Sequence, residues 1–276
     1  MTESRSRLKQ AKLGFIGAGA MGSAIIRGLL GGGWVIPENI TFYDPDPSRR
    51  AALATLGLKA AKNNREVMKA PVVVLAVKPQ VGREVLAEIQ DQAGPQHLII
   101  SIAAGVTLST LQSVLTNSRL IRVMPNTPAL VGAGMAAVAP GHLATPEDAA
   151  LTLELFGAVG QTEVVDEKHL DAVTGLSGSG PAFVAIFIEA LADAGVKVGL
   201  TRPLALTLAT QTVLGAARLI QEGKLHPGAL KDQVASPAGT TIEGIHVLEM
   251  GGFRGMVMSA VEAAALRAQE LARGGG

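Results

Sequence analysis

At 276 residues the chain exceeds what one hydrophobic core usually organises, and 48% hydrophobic against 17% charged residues excludes extended disorder. A formal charge of +1 and an aromatic content of 3% argue against a nucleic-acid face built from basic patches or base-stacking rings. The absence of Cys excludes disulfides, thiolate metal sites and a Cys nucleophile, and fits a cytoplasmic protein.

Residues 1–12 carry Arg5, Arg7, Lys9 and Lys12 with no apolar stretch before Leu13, so they do not read as a signal peptide and are expected to form a flexible extension. No apolar run reaches the roughly 18 residues of a membrane span, so no membrane is expected as a partner. Short apolar runs at 12–17, 40–43, 72–77, 98–102, 120–124, 135–139 and 163–165 read as strands. Helical patterns at 21–30, 48–56, 65–69, 81–90, 108–115 and 146–156 separate them, which is the signature of repeated β-α units around a parallel sheet. Thr107 suits a helix N-cap and Pro146 a first helical position.

Near Asp166 the pattern changes. Ala and Leu dominate, valine-rich runs disappear, and helices are predicted at 170–174, 181–198, 202–221, 227–234, 241–250 and 253–273, with Gly at their breaks. Residues 183–188 are apolar on more than one helical face, so a partner subunit is expected to cover them and the chain to form a homodimer. His97, His142, His169, His226 and His246 fall in no metal-ligand spacing; they are expected on the surface or at caps, and no metal site is assigned.

The strongest local motif is Gly17-Ala18-Gly19-Ala20-Met21-Gly22, a G-x-G-x-x-G placed after a strand and opening a helix. A dinucleotide site needs the first Gly for a tight turn, the second for close approach of the pyrophosphate and the third for packing of helix on sheet. The predicted fold is therefore α/β, with a Rossmann-type dinucleotide-binding domain over residues 1–166 and an all-helical domain over residues 167–276. About twenty residues further on, Asp44 ends the second strand, where a carboxylate would grip a ribose 2′-hydroxyl and favour NADH. Ser48, Arg49 and Arg50 follow, and a guanidinium there could bind the 2′-phosphate of NADPH, so the choice of cofactor stays open.

Further motifs end strands or open helices. Ala76-Val77-Lys78-Pro79-Gln80 would lie at the carboxyl end of its strand beside a cofactor, although a lysine there can equally reach into water. Met124-Pro125-Asn126-Thr127-Pro128 has a backbone fixed by two prolines. Ser177-Gly178-Ser179-Gly180-Pro181 and Ser236-Pro237-Ala238-Gly239-Thr240-Thr241 open helices with free amides that serve either as caps or as a carboxylate site. No G-x-S-x-G or G-x-x-x-x-G-K-[ST] occurs, which disfavours a serine hydrolase and a nucleoside triphosphatase.

Together with Asn64 and the stretch from Thr174 to Phe183, these motifs resemble the pyrroline-5-carboxylate reductase family from Lys12 to about Leu271. The resemblance implies reduction of the cyclic imine 1-pyrroline-5-carboxylate to L-proline by hydride from NADPH or NADH, the last step of proline biosynthesis. It places Thr241 at the imine nitrogen as the catalytic hydroxyl. Glu167, Ser177, Ala238, Gly239, Thr240 and Thr241 would contact substrate, the amides at 238–240 holding its carboxylate. Gly17, Gly19, Ala20, Met21, Gly22, Asp44, Arg49, Asn64, Ala76, Lys78, Pro79 and Asn126 would contact the cofactor. Ala238 stands where the family usually has Gly, so its Cβ is expected to crowd the carboxylate or force a different φ. The family's helical halves interlock into dimers that can assemble into decamers. Two other readings remain at this point: a β-hydroxyacid or 6-phosphogluconate-type dehydrogenase, and a dinucleotide-binding sensor without turnover.

Overall fold

The computed structural model describes residues 4–274. They form two compact units, one running through Gly178 and taking in the chain from Ala263 onward, the other Ser179–Glu262.

The first unit is built on β1 (Leu13–Ile16), β2 (Ile40–Tyr43), β3 (Lys59–Ala60), β4 (Val72–Leu75), β5 (Leu98–Ser101), β6 (Arg119–Pro125), β7 (Gly134–Pro140) and β8 (Gly160–Val164). Its helices are α1 (Ser4–Gln10), α2 (Ala20–Gly31), α3 (Pro47–Ala54), α4 (Asn64–Val67), α5 (Pro79–Ile89), α6 (Leu108–Val114), α7 (Pro146–Gly157) and α8 (Leu170–Val173). The strand order is β3-β2-β1-β4-β5-β6-β7-β8, so the chain winds outward in both directions from β1 and β4. Every pairing is parallel except β6 with β7. The reversal departs from the all-parallel expectation for a local reason: only a short turn of helix, Thr127–Val131, joins those strands, too little chain for a crossover.

Strands β1, β4 and β5 are buried along their whole length, which is why they read as unbroken apolar runs rather than alternating ones. Their side chains still sort by the two-residue period. Phe15, Val74 and Ile100 pack with Ile25 and Leu29 of α2 on one face. Ile16, Val73 and Ile99 pack with Leu86 of α5 and Leu111 of α6 on the other. Burying such a side chain contributes about 1.5–3 kcal/mol, so two covered faces supply most of what holds the sheet. Helix starts follow their caps: the Thr107 hydroxyl accepts from the Thr110 N–H, and Thr145 forms a reciprocal capping box with Asp148 ahead of Pro146.

Two expectations are corrected. From Ser4 onward the N-terminal segment is helical rather than a flexible extension, because Leu8 is completely buried in the same core as Phe15; residues 1–3 lie outside the described residues. His97 is buried, its Nδ1 accepting from the Gly94 N–H and its Nε2 donating to the Met68 carbonyl. His226 does cap a helix, accepting from the Gly228 N–H.

The second unit contains α9 (Gly180–Lys197), α10 (Arg202–Gly223), α11 (Pro227–Val234), α12 (Thr240–Met250) and the first half of α13 (Phe253–Gly274). Small residues let α9 and α10 approach closely: Ala192, Ala205 and Ala209 are buried between them, and a Cβ on Gly195 would come within 2.9 Å of the Ala205 methyl. Large apolar side chains instead face outward, Ile186, Val247, Met250 and Met258 being 65–77% exposed.

Candidate functional site

The glycine turn between β1 and α2 is shaped by steric necessity. Gly17 has φ +97°, and a Cβ there would sit 2.5 Å from the Ala76 carbonyl oxygen; one on Gly22 would sit 2.6 Å from the Gly17 carbonyl oxygen. No other residue fits either position. Gly19 is different: the nearest atom to a Cβ there is an Arg49 guanidinium nitrogen at 3.8 Å, so its outer side stays open. Gly19 is also the N-cap of α2 and supplies no side-chain cap, and the first turn holds no acidic residue. The amides of Ala20, Met21 and Gly22 thus begin the helix without an anion from the chain, at the positive end of its dipole. A cradle that a single Cβ would fill, backed by uncapped amides, fits a dinucleotide pyrophosphate.

Asp44 follows directly on β2 and is buried. Its Oδ2 accepts from the Ala18 N–H at 2.8 Å, which ties β2 to the glycine turn. Asp46 caps α3, and hydrogen bonds from the Ser48 hydroxyl and amide, aided by the Arg49 charge, hold its carboxyl below the usual carboxylate range. Asn64 opens α4, nearly buried, and donates to Glu88 Oε2 at 2.7 Å. Lys78 is the exposed N-cap of α5, with Pro79 at the first helical position.

Between the carboxyl ends of the central strands and the end of α13 lies a cavity of about 840 Å³, lined by Val77, Pro79, Ser101, Ala104, Thr174 and Leu271 among others. Its β5-α6 wall is pinned by Glu167, whose Oε1 accepts from the Leu108 N–H at 2.6 Å and from the Arg122 guanidinium at 3.2 Å. Asn126 pins another edge: its Oδ1 accepts from the Met135 N–H, and its Nδ2 donates to the carbonyl and hydroxyl of Ser177. Ser177 lies in a single π-helical turn, Thr174–Gly178, in which a Cβ on Gly178 would strike the Met124 methyl at 2.8 Å. Such turns mark places where a helix is bent to present specific groups. Arg122 received no role from the sequence. The signal was present: a guanidinium inside an apolar strand run requires a buried partner.

The remaining candidates belong to the second unit. Ser236 to Gly239 form a turn closed by the Gly239 N–H donating to the Ser236 carbonyl at 3.0 Å. Gly239 is the N-cap of α12, and Thr240 and Thr241 form its first turn, the Thr241 side chain partly buried. Ala238 takes φ +57°, the left-handed region that favours glycine, so its Cβ has not driven the backbone to an ordinary negative φ. The left-handed region costs an L-residue about 1–2 kcal/mol. Glycine's extra unfolded-state entropy returns about 0.4–1 kcal/mol of that gain. Ala238→Gly is therefore expected to stabilise the protein by about 0.5–1 kcal/mol, read as a higher urea midpoint at unchanged m-value. A lower midpoint would show that the methyl makes contacts worth more than the strain.

Two family models match this chain: one described as pyrroline-5-carboxylate reductase dimerisation, over residues 167–271, and one described as NADP oxidoreductase coenzyme F420-dependent, over residues 12–105. The pyrroline-5-carboxylate reductase of Pisum sativum is 49% identical over 94% of this chain and 95% of its own length. That of Escherichia coli (strain K12) is 46% identical over 96% and 99%. Among solved structures, a pyrroline-5-carboxylate reductase from Coxiella burnetii superposes with a TM-score of 0.90 at 36% identity, covering 95% of this chain and 98% of that one. The Plasmodium falciparum pyrroline carboxylate reductase with NADP bound gives 0.85 at 33%, covering 96% and 99%.

Proposed function

Since the chain belongs to the pyrroline-5-carboxylate reductase family, we propose that it reduces the C=N bond of 1-pyrroline-5-carboxylate to give L-proline, oxidising NADPH or NADH. The observation that carries the reading on the structural side is the glycine turn, open at Gly19 and backed by the uncapped start of α2. When bound there, the reduced dinucleotide supplies the hydride. The turn's amides would hold the pyrophosphate, and Asn64, Ala76, Lys78, Pro79 and Asn126 would contact the rest of the cofactor.

The protein's own part in the reaction is modest in chemistry and exacting in position. An imine nitrogen is basic enough to be protonated or strongly hydrogen-bonded without a powerful acid, so a hydroxyl suffices. Thr241 hydrogen-bonds that nitrogen and relays to it a proton that its hydroxyl regains from solvent water, as the carbon accepts hydride; the product is the saturated ring with one new C–H and one new N–H bond. The amides of Ala238 and Thr240 orient the substrate carboxylate, while the Gly239 N–H, already donating to the Ser236 carbonyl, holds the turn that presents them. Alignment of this kind contributes on the order of 7 kcal/mol or more to the barrier reduction.

The apolar helices of the second unit are covered by a second copy, giving a homodimer in which Ile186, Val247 and Met250 are buried; dimers assemble further into decamers. The same pairing accounts for the helical stretches Glu167–Lys197 and Arg202–Gly223, which match a membrane span in length and apolarity. The division we propose, a dinucleotide-binding domain to residue 166 and a helical domain from 167, is supported by the end of the sheet at Val164. The absence of Cys supports a cytoplasmic setting.

The test is to follow loss of reduced-nicotinamide absorbance with 1-pyrroline-5-carboxylate, identify the product, and measure mass by sedimentation equilibrium. Proline formed by a species of at least twice the monomer mass is expected. Bound dinucleotide without proline would favour a sensor, and a monomer would sink the dimer.

A further inference from the structure

On the premise that a dinucleotide binds the glycine turn, its adenosine ribose falls to the residues that follow β2. Asp44 is only 2% exposed, and its carboxylate faces the protein. Oδ2 accepts from the Ala18 N–H at 2.8 Å and from Arg49 at 3.3 Å; Oδ1 accepts from the Asp46 N–H at 3.0 Å. Two of these donors are backbone amides, and one belongs to the glycine turn itself, 26 positions away in sequence. A carboxylate engaged in this way is neutralised locally by fixed donors, and its principal work is to hold the turn in shape.

Arg49 is the opposite case. Its side chain is 47% exposed and spans Asp44 at 3.3 Å and Asp46 at 3.5 Å. It is also the group that faces the open side of Gly19. Half-exposed ion pairs of this kind hold an arm loosely, so the guanidinium can exchange Asp46 for a better acceptor at little cost. A phosphomonoester is that acceptor, with a charge of about −1.5 to −2 and oxygens spaced for two parallel N–H bonds. Arg50 is committed elsewhere: it donates to the carbonyls of Asp44 and Pro45 and lies over the Tyr43 ring.

We infer that Asp44 is a staple of the glycine turn and not a discriminator at the ribose, and that Arg49 sets selectivity toward the 2′-phosphorylated dinucleotide. Calorimetric titration of the full-length protein with NADPH and with NADH tests both halves. Arg49→Ala, a surface change that leaves the core intact, is expected to lower the NADPH-to-NADH affinity ratio by about tenfold or more, the size of a lost charge-assisted hydrogen bond. Asp44→Asn keeps the shape but replaces one acceptor oxygen with a donor; it is expected to weaken both dinucleotides by a similar factor and to lower the melting temperature without ligand. An unchanged ratio in Arg49→Ala overturns the role of Arg49. A tenfold rise of the ratio in Asp44→Asn overturns the staple, because relief of repulsion would then be the dominant effect. Failure of the unaltered protein to bind either dinucleotide would remove the premise, an outcome distinct from any shift in the ratio.

Discussion

Glu167→Ala is expected to destabilise the protein by about 3 kcal/mol, the lower end for breaking a buried ion pair from one side. Arg122 is the deeply buried partner, its side chain 6% exposed, while the Glu167 side chain is 31% exposed, which argues against the upper end of the range. The alanine also removes the acceptor of the Leu108 N–H, an amide in the first turn of α6. Glu167→Gln should recover part of the loss, since an amide oxygen still accepts from Leu108 and from Arg122 without the charge. Replacing both partners, Arg122→Met with Glu167→Gln, should cost less than Glu167→Ala, because no charge is left stranded. Chemical denaturation of the four proteins checks this series. If Glu167→Ala unfolded at the same denaturant concentration as the unaltered protein, the pair would carry no structural weight, and the acid would be free for substrate.

The same residue shows where sequence reading runs out. Glu167 is legible as an acid near the change from strands to helices, but its partners lie 59 and 45 positions back, and no local pattern encodes them. Elements whose burial is local were legible: Val72–Leu75 as a run covered on both faces, and Gly17 and Gly22 as positions where a Cβ cannot fit. The capped helix start at Thr107 and the first helical position at Pro146 belong with them, whereas the capping box of Thr145 emerged only in the structure. β3 was not, because two residues at the sheet edge, Lys59 and Ala60, have too little apolar alternation to register. β8 was placed late for a related reason: Gln161, Thr162 and Glu163 pair with β7 by backbone alone and leave polar side chains outward. α1 was missed because Leu8 is the sole apolar residue in the sequence Ser4–Gln10 and gives no helical periodicity. In the second unit the pattern was legible in the reverse sense, since helices apolar all round predicted burial that one copy does not provide for Ile186 or Val247. The cofactor preference was not legible at all: Asp44 and Arg49 point to opposite choices, and the sequence holds no sign that the Asp44 carboxylate is tied to the Ala18 N–H, 26 positions away.

Thr241→Ala is expected to lower kcat by about a hundredfold, the low end for loss of a positioned proton donor. Stability should move by less than about 0.5 kcal/mol, because alanine is the better helix former and the site is in the first turn of α12. Cofactor affinity should hold, since the substitution removes only the hydroxyl assigned to the imine nitrogen. The pattern of loss matters more than its size. A hydroxyl that serves only as the N–H bond forms lowers kcat and kcat/KM together, whereas one that merely binds the ring raises KM alone. Thr241→Ser, which keeps the hydroxyl and drops the methyl, should restore most of the turnover. Steady-state kinetics of both variants with 1-pyrroline-5-carboxylate as the varied substrate distinguish the cases. A Thr241→Ala protein with kcat within twofold of the parent would move the proton to another donor, and a serine variant as slow as the alanine one would assign the effect to packing rather than to the hydroxyl.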